Sequence, residues 1–424
     1  MCRCESLQVA QNLYRCFEVI LFDKTDQLCS ISCAIFPYLR LQYSKSTRHE
    51  LPPHVYATST DAYRGLTTRF TNQSILVTGE SGAGKTETVK ILMGHIAYIA
   101  GKHDDKTVDK LLKANPLMES FGNAKTGRND NSSRFGKFSQ LEFNDLYVLV
   151  GSKCVTYLLE KSRVITQTGL ERNFHIMYQL LAAPDSVKER LLLKDKKSTD
   201  FNYTSSGDTK TNLIEGMSDA DRYQQTIQIL ELLGVGPKLR AALEKSIAGI
   251  LHMGQINFHH VKGNSDASSI VAEGTRFDDA TIASCKMLGV NTETFASCVT
   301  TRFIDVEGKK LSVPLSVEQA ASGRDALAKE LYSRIFNWLV VLINFNTSHA
   351  ANLKDEEKSS LSKKDFSTIS LLDIFGFECF ARNGFEQFCI NFANEKLQQV
   401  IYLYTIYIYL YYAYSIHIHT YIYA

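Results

Sequence analysis

The chain has 424 residues, which is enough for one large multi-lobed domain or about two to three average domains. Hydrophobic residues make up 44% and charged residues 22%, a composition that excludes wholesale disorder. Lys and Arg total 47 against 45 Asp and Glu, for a formal net charge of +2. This near-balance excludes a global field that would hold the chain on nucleic acid or an anionic membrane. Any acidic partner would have to meet a local patch.

Ten cysteines are scattered along the chain, without a C-x-x-C pair or a His/Cys cluster at the spacing of zinc ligands. In a chain of this size that pattern predicts reduced thiols in a cytosolic protein. The first twenty residues carry Glu, Gln and Asn where a signal peptide needs an apolar run, so we expect no secretion signal.

The first part of the chain predicts strands followed by a helix. Short apolar runs within residues 12–51 indicate strands and connectors. The run Gln73–Thr78 has the length of a buried strand and stops at a glycine. From Lys85, apolar residues recur at steps of three and four until Gly101, which predicts a helix. The polar stretch Gly101–Lys110 then predicts an exposed loop.

The rest of the chain predicts two strands, a helical region and a last strand. The two strands cover Phe138–Leu149 and Lys153–Val164, with a turn near Gly151 and Ser152. Residues 174–345 are mostly helical in pattern: Pro237 opens one helix, and a capping box at Ser316–Gln319 opens another. Leu327, Leu331, Ile335 and Trp338 form an apolar stripe on the second helix, and Thr368–Leu372 is again a short buried strand. The alternation predicts an α/β fold with a large helical subdomain.

The segment Gly79–Thr86 fits the pattern G-x-x-x-x-G-K-[ST]. Its glycines permit the backbone to turn successive N–H groups towards phosphate oxygens, and the following helix adds its positive N-terminal end. Lys85 supplies a charge for the β- and γ-phosphates, and the Thr86 hydroxyl is placed to ligate Mg²⁺. The preceding strand and following helix are the context that this motif requires. The segment therefore predicts a nucleoside triphosphate site.

Hydrolysis also needs the γ-phosphate charge neutralised and a water held in line, so polar loops at strand ends are candidates. Asn129–Lys137 precedes the strand at Phe138 and combines amides, hydroxyls and a guanidinium. Asp373–Glu378 follows the strand Thr368–Leu372 and has the D-x-x-G form of a γ-phosphate sensor. Each loop alone is more often an ordinary polar turn. Their occurrence together with the phosphate motif is what makes them candidates.

These segments resemble myosin motor domains. Gly79–Glu87 (GESGAGKTE) resembles the P-loop, Asn123–Phe138 (NAKTGRNDNSSRFGKF) resembles switch I, and Asp373–Glu378 (DIFGFE) resembles switch II. Five further segments resemble the same family and follow in its order: LPPHVYA (51–57), YLLEKSRV (157–164), ERNFHIMYQLL (171–181), GILHMGQINF (249–258) and CINFANEKLQQ (389–399). The resemblance covers nearly all of residues 12–399. Kinesins, which are closest in form, would carry other switch sequences.

The resemblance implies a P-loop NTPase of α/β class with a mostly parallel or mixed central sheet and a large helical upper subdomain. It implies ATP and Mg²⁺ as cofactors and actin filaments as a partner. The residues that it implies for catalysis are Lys85, Ser132, Ser133, Arg134, Gly376 and Glu378. Those that it implies for nucleotide binding are Gly79, Glu80, Ser81, Gly82, Ala83, Gly84, Lys85, Thr86, Glu87, Asn129, Asn131, Pro37 and Tyr38. Thr86, Ser133 and Asp373 would hold the metal or its water shell.

Within this set, the resemblance implies that Arg134 and Glu378 form the ion pair that closes the site around the attacking water. The Gly376 N–H would bind the γ-phosphate. The switch II segment would drive a relay helix that begins near Glu386. A closed state of this kind depends on both partners, because removing one leaves a buried charge.

Two features depart from the family. At the adenine pocket the chain reads Phe36-Pro37-Tyr38, without the Asn amide of the family, which puts adenine recognition in doubt. After Gln399 the family continues into a lower actin-binding lobe, a further sheet strand, a converter and a light-chain-binding neck. Here residues 400–424 hold nine of the 21 tyrosines, in near-alternation with Ile. This pattern resembles translated TA- and CA-rich non-coding repeat; a β-prone low-complexity tail and a membrane anchor are the alternatives, and Tyr is costly throughout a span.

The resemblance also implies a linear division of the chain. Residues 1–60 would be an N-terminal motor segment, 61–140 the P-loop and switch I core, and 141–370 the transducer strands and upper actin-cleft subdomain. Residues 371–399 would contain switch II and the start of the relay helix, and 400–424 an aberrant tail. We expect a cytoplasmic, cytoskeleton-associated protein with no membrane span, truncated before the neck that would bind light chains.

Three functions remain open from the sequence. In the first, the chain is the N-terminal part of an actin-dependent Mg-ATPase, which binds ATP weakly and cannot move actin in this form. In the second, it is a non-catalytic actin- or partner-binding fragment. The loop Thr301–Ser312 lies where the family touches actin, although a solvated hairpin explains it equally well. A P-loop kinase is third, but the chain lacks the usual substrate lid. His175 is interpreted as a buried helix residue rather than a proton carrier.

Overall fold

The computed structural model describes residues 18–21, 37–48, 50–101, 106–211, 213–261, 264–269, 277–306, 309–348, 366–379 and 383–399. The chain forms two compact units. The first unit contains Met1–Asp105, Gly136–Tyr157 and Ser362–Ala424, and the second contains Lys106–Phe135 and Leu158–Leu361. Because each unit combines separate stretches of chain, neither equals one of the predicted linear segments. That functional division stays a prediction, and the tail 400–424 lies outside the described residues.

A five-stranded mixed sheet is the centre of the first unit. From edge to edge its strands are Glu18–Leu21, Gln73–Thr78, Ser367–Asp373, Gly136–Phe143 and Leu149–Tyr157. The first three are parallel to one another, and the last two continue the sheet as antiparallel neighbours. In Ser367–Asp373 every residue after the first is buried, as expected for a central strand covered on both faces. The predicted α/β class with a mixed sheet is confirmed.

In the part of the chain that the structure describes, the first unit contains the helices Pro37–Lys45, Val55–Arg69, Lys85–Ala100 and 385–399. The last is where the resemblance places the relay helix. The prediction of strands and connectors across residues 12–51 is right at Glu18–Leu21 but wrong at Pro37–Lys45. Proline at the first helical position is favourable because its missing N–H would have no helical partner there. Tyr43 on this helix packs against Tyr56 and Ala57 of the next helix, so tertiary burial stabilises the short element.

The turn between the two antiparallel strands does not lie near Gly151 and Ser152, where the sequence predicted it. The strands turn at Asn144–Val148, and Gly151 pairs with Glu142 inside the second strand. The Asn144 Oδ1 accepts hydrogen bonds from the N–H groups of Leu146 and Val148, both at 3.0 Å. An Asn side chain that closes a turn in this way replaces the backbone contacts that a glycine turn would supply. The second strand then ends at Tyr157, and Lys161–Val164 is a 3₁₀-helix rather than part of it.

The second unit is mostly helical, as predicted. Its helices are Lys106–Gly122, His175–Leu181, Asp185–Arg190, Asn202–Ser205, Asp219–Leu232, Pro237–Met253, Asp279–Leu288, Thr292–Thr300 and Val317–Thr347. Among the described residues, four two-stranded pairs accompany them: Asn123–Ala124 with Ser132–Ser133, Leu213–Ile214 with Met217–Ser218, His259–Val261 with Asn264–Ser269, and Thr301–Val306 with Lys309–Pro314. The first helix begins at Lys106, so the loop predicted to reach Lys110 is shorter.

The longest of the described helices, Val317–Thr347, contains 31 residues and begins at the predicted capping box. The Ser316 hydroxyl accepts from the Gln319 N–H, and the Gln319 side chain accepts from the Ser316 N–H. The buried face is the one that carries Ala328, Tyr332 and Phe336, whereas the predicted stripe of Leu327, Leu331, Ile335 and Trp338 is half-buried. Tyr332 decides this face because its hydroxyl donates to the Phe121 carbonyl at 2.7 Å and its ring stacks on Phe174.

Candidate functional site

The P-loop connects the strand Gln73–Thr78 to the helix Lys85–Ala100, in the order that the sequence predicts. Gly82 has φ 83° and Gly84, the residue before the helix, has φ 89°. These left-handed conformations are costly for other residues, so the two glycines allow the loop to curl over the helix N-terminus. That end of the helix presents unpaired N–H groups and a partial positive charge. The backbone of Gly79–Thr86 therefore has the geometry of an anion cradle, and its binding of phosphates stays a prediction.

Lys85 lies inside this cradle. Its ammonium donates to the carbonyls of Gly79 at 3.0 Å and Glu80 at 2.5 Å, and the residue is buried. Burial lowers the pKa of Lys85 to about 8, although the nearby carboxylates of Asp373, Glu378 and Glu80 act in the opposite direction. A partly desolvated ammonium beside a helix N-terminus has much to gain from a phosphate.

The switch II segment approaches the P-loop closely within the first unit. The Ser81 N–H donates to the Phe377 carbonyl at 3.2 Å, and Glu80 forms a parallel β-bridge with Phe377. A Cβ on Gly376 would lie 2.3 Å from the Ser81 nitrogen and 2.5 Å from the Lys85 ammonium. Only a glycine fits there, because real Cβ atoms do not approach so closely. Gly376 therefore lies next to Lys85, and buried Asp373 ends the adjoining strand.

The helix 385–399 is tied to switch II by two asparagines that the sequence analysis did not single out. Asn391 accepts from the Glu378 N–H at 2.9 Å and donates to the Glu378 carbonyl at 2.6 Å. Asn394 donates to the Phe375 carbonyl at 3.0 Å. The two amides are three residues apart and therefore on one helix face. That spacing, within the segment CINFANEKLQQ, is the signal that could have found them.

The first part of switch I belongs to the second unit. Ser132 and Ser133 form a short strand paired with Asn123 and Ala124. The Asn129 Oδ1 accepts from the Asn131 N–H at 2.9 Å, and this hydrogen bond shapes the turn before that strand. These bonds fix the path of the switch I backbone.

The side chain of Asn131 is held in a buried network. Its Oδ1 accepts from Asn123 Nδ2 at 3.0 Å and bonds His175 Nε2 at 3.1 Å, while its Nδ2 donates to the carboxylates of Glu119 and Glu215. His175 is fully buried, and burial lowers its pKa well below the ordinary value. A neutral buried imidazole agrees with the interpretation of His175 as a helix residue rather than a proton carrier.

Arg134 is also buried, and its partner within the second unit is Glu160. Arg134 Nε donates to Glu160 Oε2 at 2.6 Å, and Nη1 donates to the Ser132 hydroxyl at 3.2 Å. Ser132 and Arg134 are thus in contact, and their predicted catalytic roles stay predictions. The predicted ion pair between Arg134 and Glu378 joins residues of different units and stays a prediction.

Three other predicted nucleotide-binding side chains lie on helices of the first unit. Pro37 and Tyr38 occupy the first turn of the helix Pro37–Lys45, and Tyr38 is exposed. The Glu87 carboxylate is exposed and pairs with Lys90 at 2.5 Å. None of these contacts tests adenine recognition or phosphate binding, and the three assignments stay predictions.

The geometry of the P-loop fits a triphosphate. The cradle is too close around Gly376 for a side chain, and it holds a buried ammonium whose hydrogen bonds go to carbonyls. Among the described residues, no group of three or more His, Cys, Asp or Glu side chains could hold a metal ion by itself. The predicted Mg²⁺ ligands are instead two hydroxyls and a carboxylate, which is a donor set for an ion that also binds phosphate oxygens.

Comparison with known proteins gives consistent results. The family model for the myosin head (motor domain) matches residues 38–409. Unconventional myosin IC of Drosophila melanogaster is 39% identical over 360 residues, covering 84% of this chain and 33% of that protein. Myosin-4 of Saccharomyces cerevisiae is 40% identical over 388 residues, covering 89% and 25%. Unconventional myosin-Vb of Mus musculus is 41% identical over 360 residues, covering 84% and 19%.

The chain thus spans a third or less of the length of these relatives. In the part that the structure describes, no helix has the length and apolarity needed to cross a bilayer. The P-loop, the adjoining switch II and the family match over 38–409 lead to one conclusion. This chain belongs to the myosin head (motor domain) family.

Proposed function

We propose that this chain binds Mg-ATP at the P-loop and hydrolyses it, as the nucleotide-binding part of an actin-dependent motor. The observation that carries the proposal is the approach of Gly376 to Lys85 and Ser81 within the first unit. A γ-phosphate placed at Lys85 would lie beside the Gly376 N–H. Switch II would then respond to the presence of that phosphate.

The roles of the other residues follow from this placement. The N–H groups of Gly79–Thr86 and the Lys85 ammonium hold the phosphates, with support from Asn129. Thr86, Ser133 and Asp373 hold Mg²⁺ or its water shell, and the ion supplies charge neutralisation at the phosphates when bound. Ser132 contacts the phosphates, and the pair of Arg134 with Glu378 closes the site around the attacking water. Asn391 and Asn394 pass the movement of switch II to the helix 385–399.

Labelled-ATP binding to the 424-residue chain and to Lys85→Ala tests the site. We expect Lys85→Ala to weaken binding by at least tenfold, because a hydrogen bond to a charged group contributes about 1.5–3 kcal/mol. Lys113→Ala removes an exposed ammonium that pairs with Asp109 and serves as the control. Equal affinity of Lys85→Ala and the unchanged protein rules out the nucleotide site.

We also propose that the hairpin Thr301–Pro314 contacts actin. Its strands expose Phe303, Ile304 and Leu311, and Ile304 lies opposite Leu311. The exposed cross-strand pair of Ile304 and Leu311 offers an apolar contact to a protein partner. A non-catalytic actin-binding fragment remains the alternative function. Co-sedimentation with actin distinguishes the two: a motor is released by ATP, whereas an ATP-independent fraction favours the alternative.

The Phe303→Ser variant tests the hairpin itself. Its sedimentation with actin should fall, while Leu239→Ser, at an exposed apolar position outside the hairpin, should leave it unchanged. Equal loss in both variants contradicts the assignment. In the cell, such a protein would be cytoplasmic and associated with the actin cytoskeleton.

A further inference from the structure

Glu160 makes more contacts with Arg134 than a single ion pair. Besides the 2.6 Å hydrogen bond from Arg134 Nε to Glu160 Oε2, the Glu160 N–H donates to the Arg134 carbonyl at 3.0 Å. The side chain of Arg134 is 1% exposed and that of Glu160 is 9% exposed. Backbone and side chain of Glu160 therefore both hold the arginine in place, 26 residues away in sequence.

Glu160 is ionised at neutral pH. Burial alone would raise its pKa, but the charges of Arg134 and Arg163 and the hydrogen bonds from both lower the pKa of Glu160 to about 2. Arg163 Nε donates to the same Oε2 at 2.6 Å, and its Nη2 donates to Oε1 at 3.3 Å. Since the carboxylate binds two guanidinium groups, it cannot turn towards one without losing the other.

The contact with Glu160 is made at one defined edge of the Arg134 guanidinium. A guanidinium is planar, with Nε on one edge and the two Nη groups forming the opposite fork. Glu160 occupies the Nε edge, and Nη1 reaches the Ser132 hydroxyl at 3.2 Å. The contacts at Nε and Nη1 together fix the plane of the guanidinium relative to the switch I backbone. A guanidinium held in a fixed plane is suited to bidentate binding of a carboxylate.

Arg163 completes a cluster with equal numbers of opposite charges. Its Nη1 pairs with Glu171 Oε2 at 2.9 Å, so Arg134, Arg163, Glu160 and Glu171 form two cations and two anions. None of the described ion pairs joins Glu171 to Arg134. Removing either carboxylate changes the charge equally, but of these two carboxylates it is Glu160 that forms a described ion pair with the switch I arginine.

We propose that Glu160 is a positioning residue for hydrolysis, which acts by holding Arg134 through its Nε edge. The proposal rests on the proposed ATPase function and adds a residue outside the three phosphate-binding loops. The segment YLLEKSRV supplies both Glu160 and Arg163, so it contributes the anion and the second cation of this support.

The test compares Glu160→Gln with Glu171→Gln in the full chain, measuring ATP affinity and single-turnover hydrolysis separately. Glu160→Gln should keep ATP affinity within about twofold, because the P-loop is unchanged. It should slow hydrolysis by about 100-fold, which is the effect expected when a catalytic group is misplaced by about 1 Å. Glu171→Gln should leave both within about threefold. Glu160→Gln should have no further effect in an Arg134→Lys background, since the two residues act as a unit.

Normal hydrolysis by Glu160→Gln, or equal slowing by both variants, overturns the proposal. Circular dichroism checks that each variant folds. If Glu160→Gln does not fold, Glu160→Asp keeps the charge but withdraws the carboxylate by one carbon, and it should slow hydrolysis in the same way.

A spectroscopic measurement separates this proposal from the proposed function. In a spectrum of ¹⁵Nε-labelled arginine, the Arg134 Nε–H signal is identified by its loss in Arg134→Lys. It should shift in Glu160→Gln and stay in place in Glu171→Gln. If the unchanged chain binds no ATP, the proposed function fails, and this spectrum still decides the contact; an unshifted signal in Glu160→Gln overturns the positioning role.

Discussion

Replacing Gly376 by alanine is the most direct perturbation of the site. The added Cβ would lie 2.3 Å from the Ser81 nitrogen, 2.5 Å from the Glu80 carbonyl carbon and 2.5 Å from the Lys85 ammonium. Lys85 can move, but two of the three atoms belong to the P-loop backbone. Restoring an ordinary contact would separate switch II from the P-loop by roughly 1 Å, because normal contacts begin near 3.4 Å.

The expected magnitudes follow from that displacement. Overpacking of this kind costs about 1–3 kcal/mol. For a domain of about 150–250 residues each kcal/mol lowers Tm by about 2–4 °C, so the fall should be roughly 2–12 °C. The ratio of ATP affinity to ADP affinity should fall by roughly 10- to 100-fold, because the Gly376 N–H would no longer reach a γ-phosphate. A hydrogen bond to a charged group contributes about 1.5–3 kcal/mol.

Thermal unfolding and the ratio of ATP to ADP affinity measure these effects. Gly94→Ala is the matched control: it adds the same methyl group in the helix Lys85–Ala100, where a Cβ would meet nothing within 4 Å. It should raise stability by about 1 kcal/mol through helix propensity and leave the ATP to ADP ratio unchanged. The reasoning is refuted if Gly376→Ala unfolds at the original temperature and still prefers ATP as the unchanged protein does.

Three further predictions concern protonation and the helix behind switch II. Burial lowers the pKa of Lys85 to about 8, and a bound triphosphate would raise it again. ATP affinity should therefore be highest below pH 8 and fall as the pH rises above it. Calorimetry at pH 8.5 in two buffers should show proton uptake on ATP binding, and Lys85→Met should abolish that uptake. The folded-state pKa of His175 lies below its unfolded value, so its contribution to stability is present above about pH 6.5 and is lost as the pH falls, by up to about 1.4 kcal/mol per pH unit. Denaturant unfolding between pH 7 and pH 5 should show a shallower loss in His175→Gln, and an identical slope would contradict a neutral buried imidazole. Asn391→Ala removes two hydrogen bonds to Glu378 and should lower the free energy of unfolding by about 1–3 kcal/mol. In the control Asn346→Ala, the lost amide bonds only the Leu342 carbonyl of its own helix among the described contacts, so the loss should be less than about 1.5 kcal/mol by the same measurement. Equal losses would exclude a special role for Asn391.

The sequence by itself determined the local parts of the site. The strand Gln73–Thr78, the glycines at positive φ and the helix from Lys85 follow one another directly, so composition and periodicity define them without reference to distant residues. The capping box at Ser316 and the strand Ser367–Asp373 were predictable for the same reason. The family resemblance added the switch segments, whose residues alone would have been ordinary polar loops.

The tertiary structure decided what depends on partners far along the chain. The buried face of Val317–Thr347 is set by Tyr332 against Phe121 and Phe174, not by the most apolar stripe. The turn at Asn144 replaced the expected glycine turn because a side-chain amide closes it. The sequence does not show which carboxylate pairs with a given arginine. Arg134 pairs with Glu160 because the fold buries that carboxylate beside it. For the same reason, the need for glycine at position 376 became visible only where the chain brings it against the P-loop.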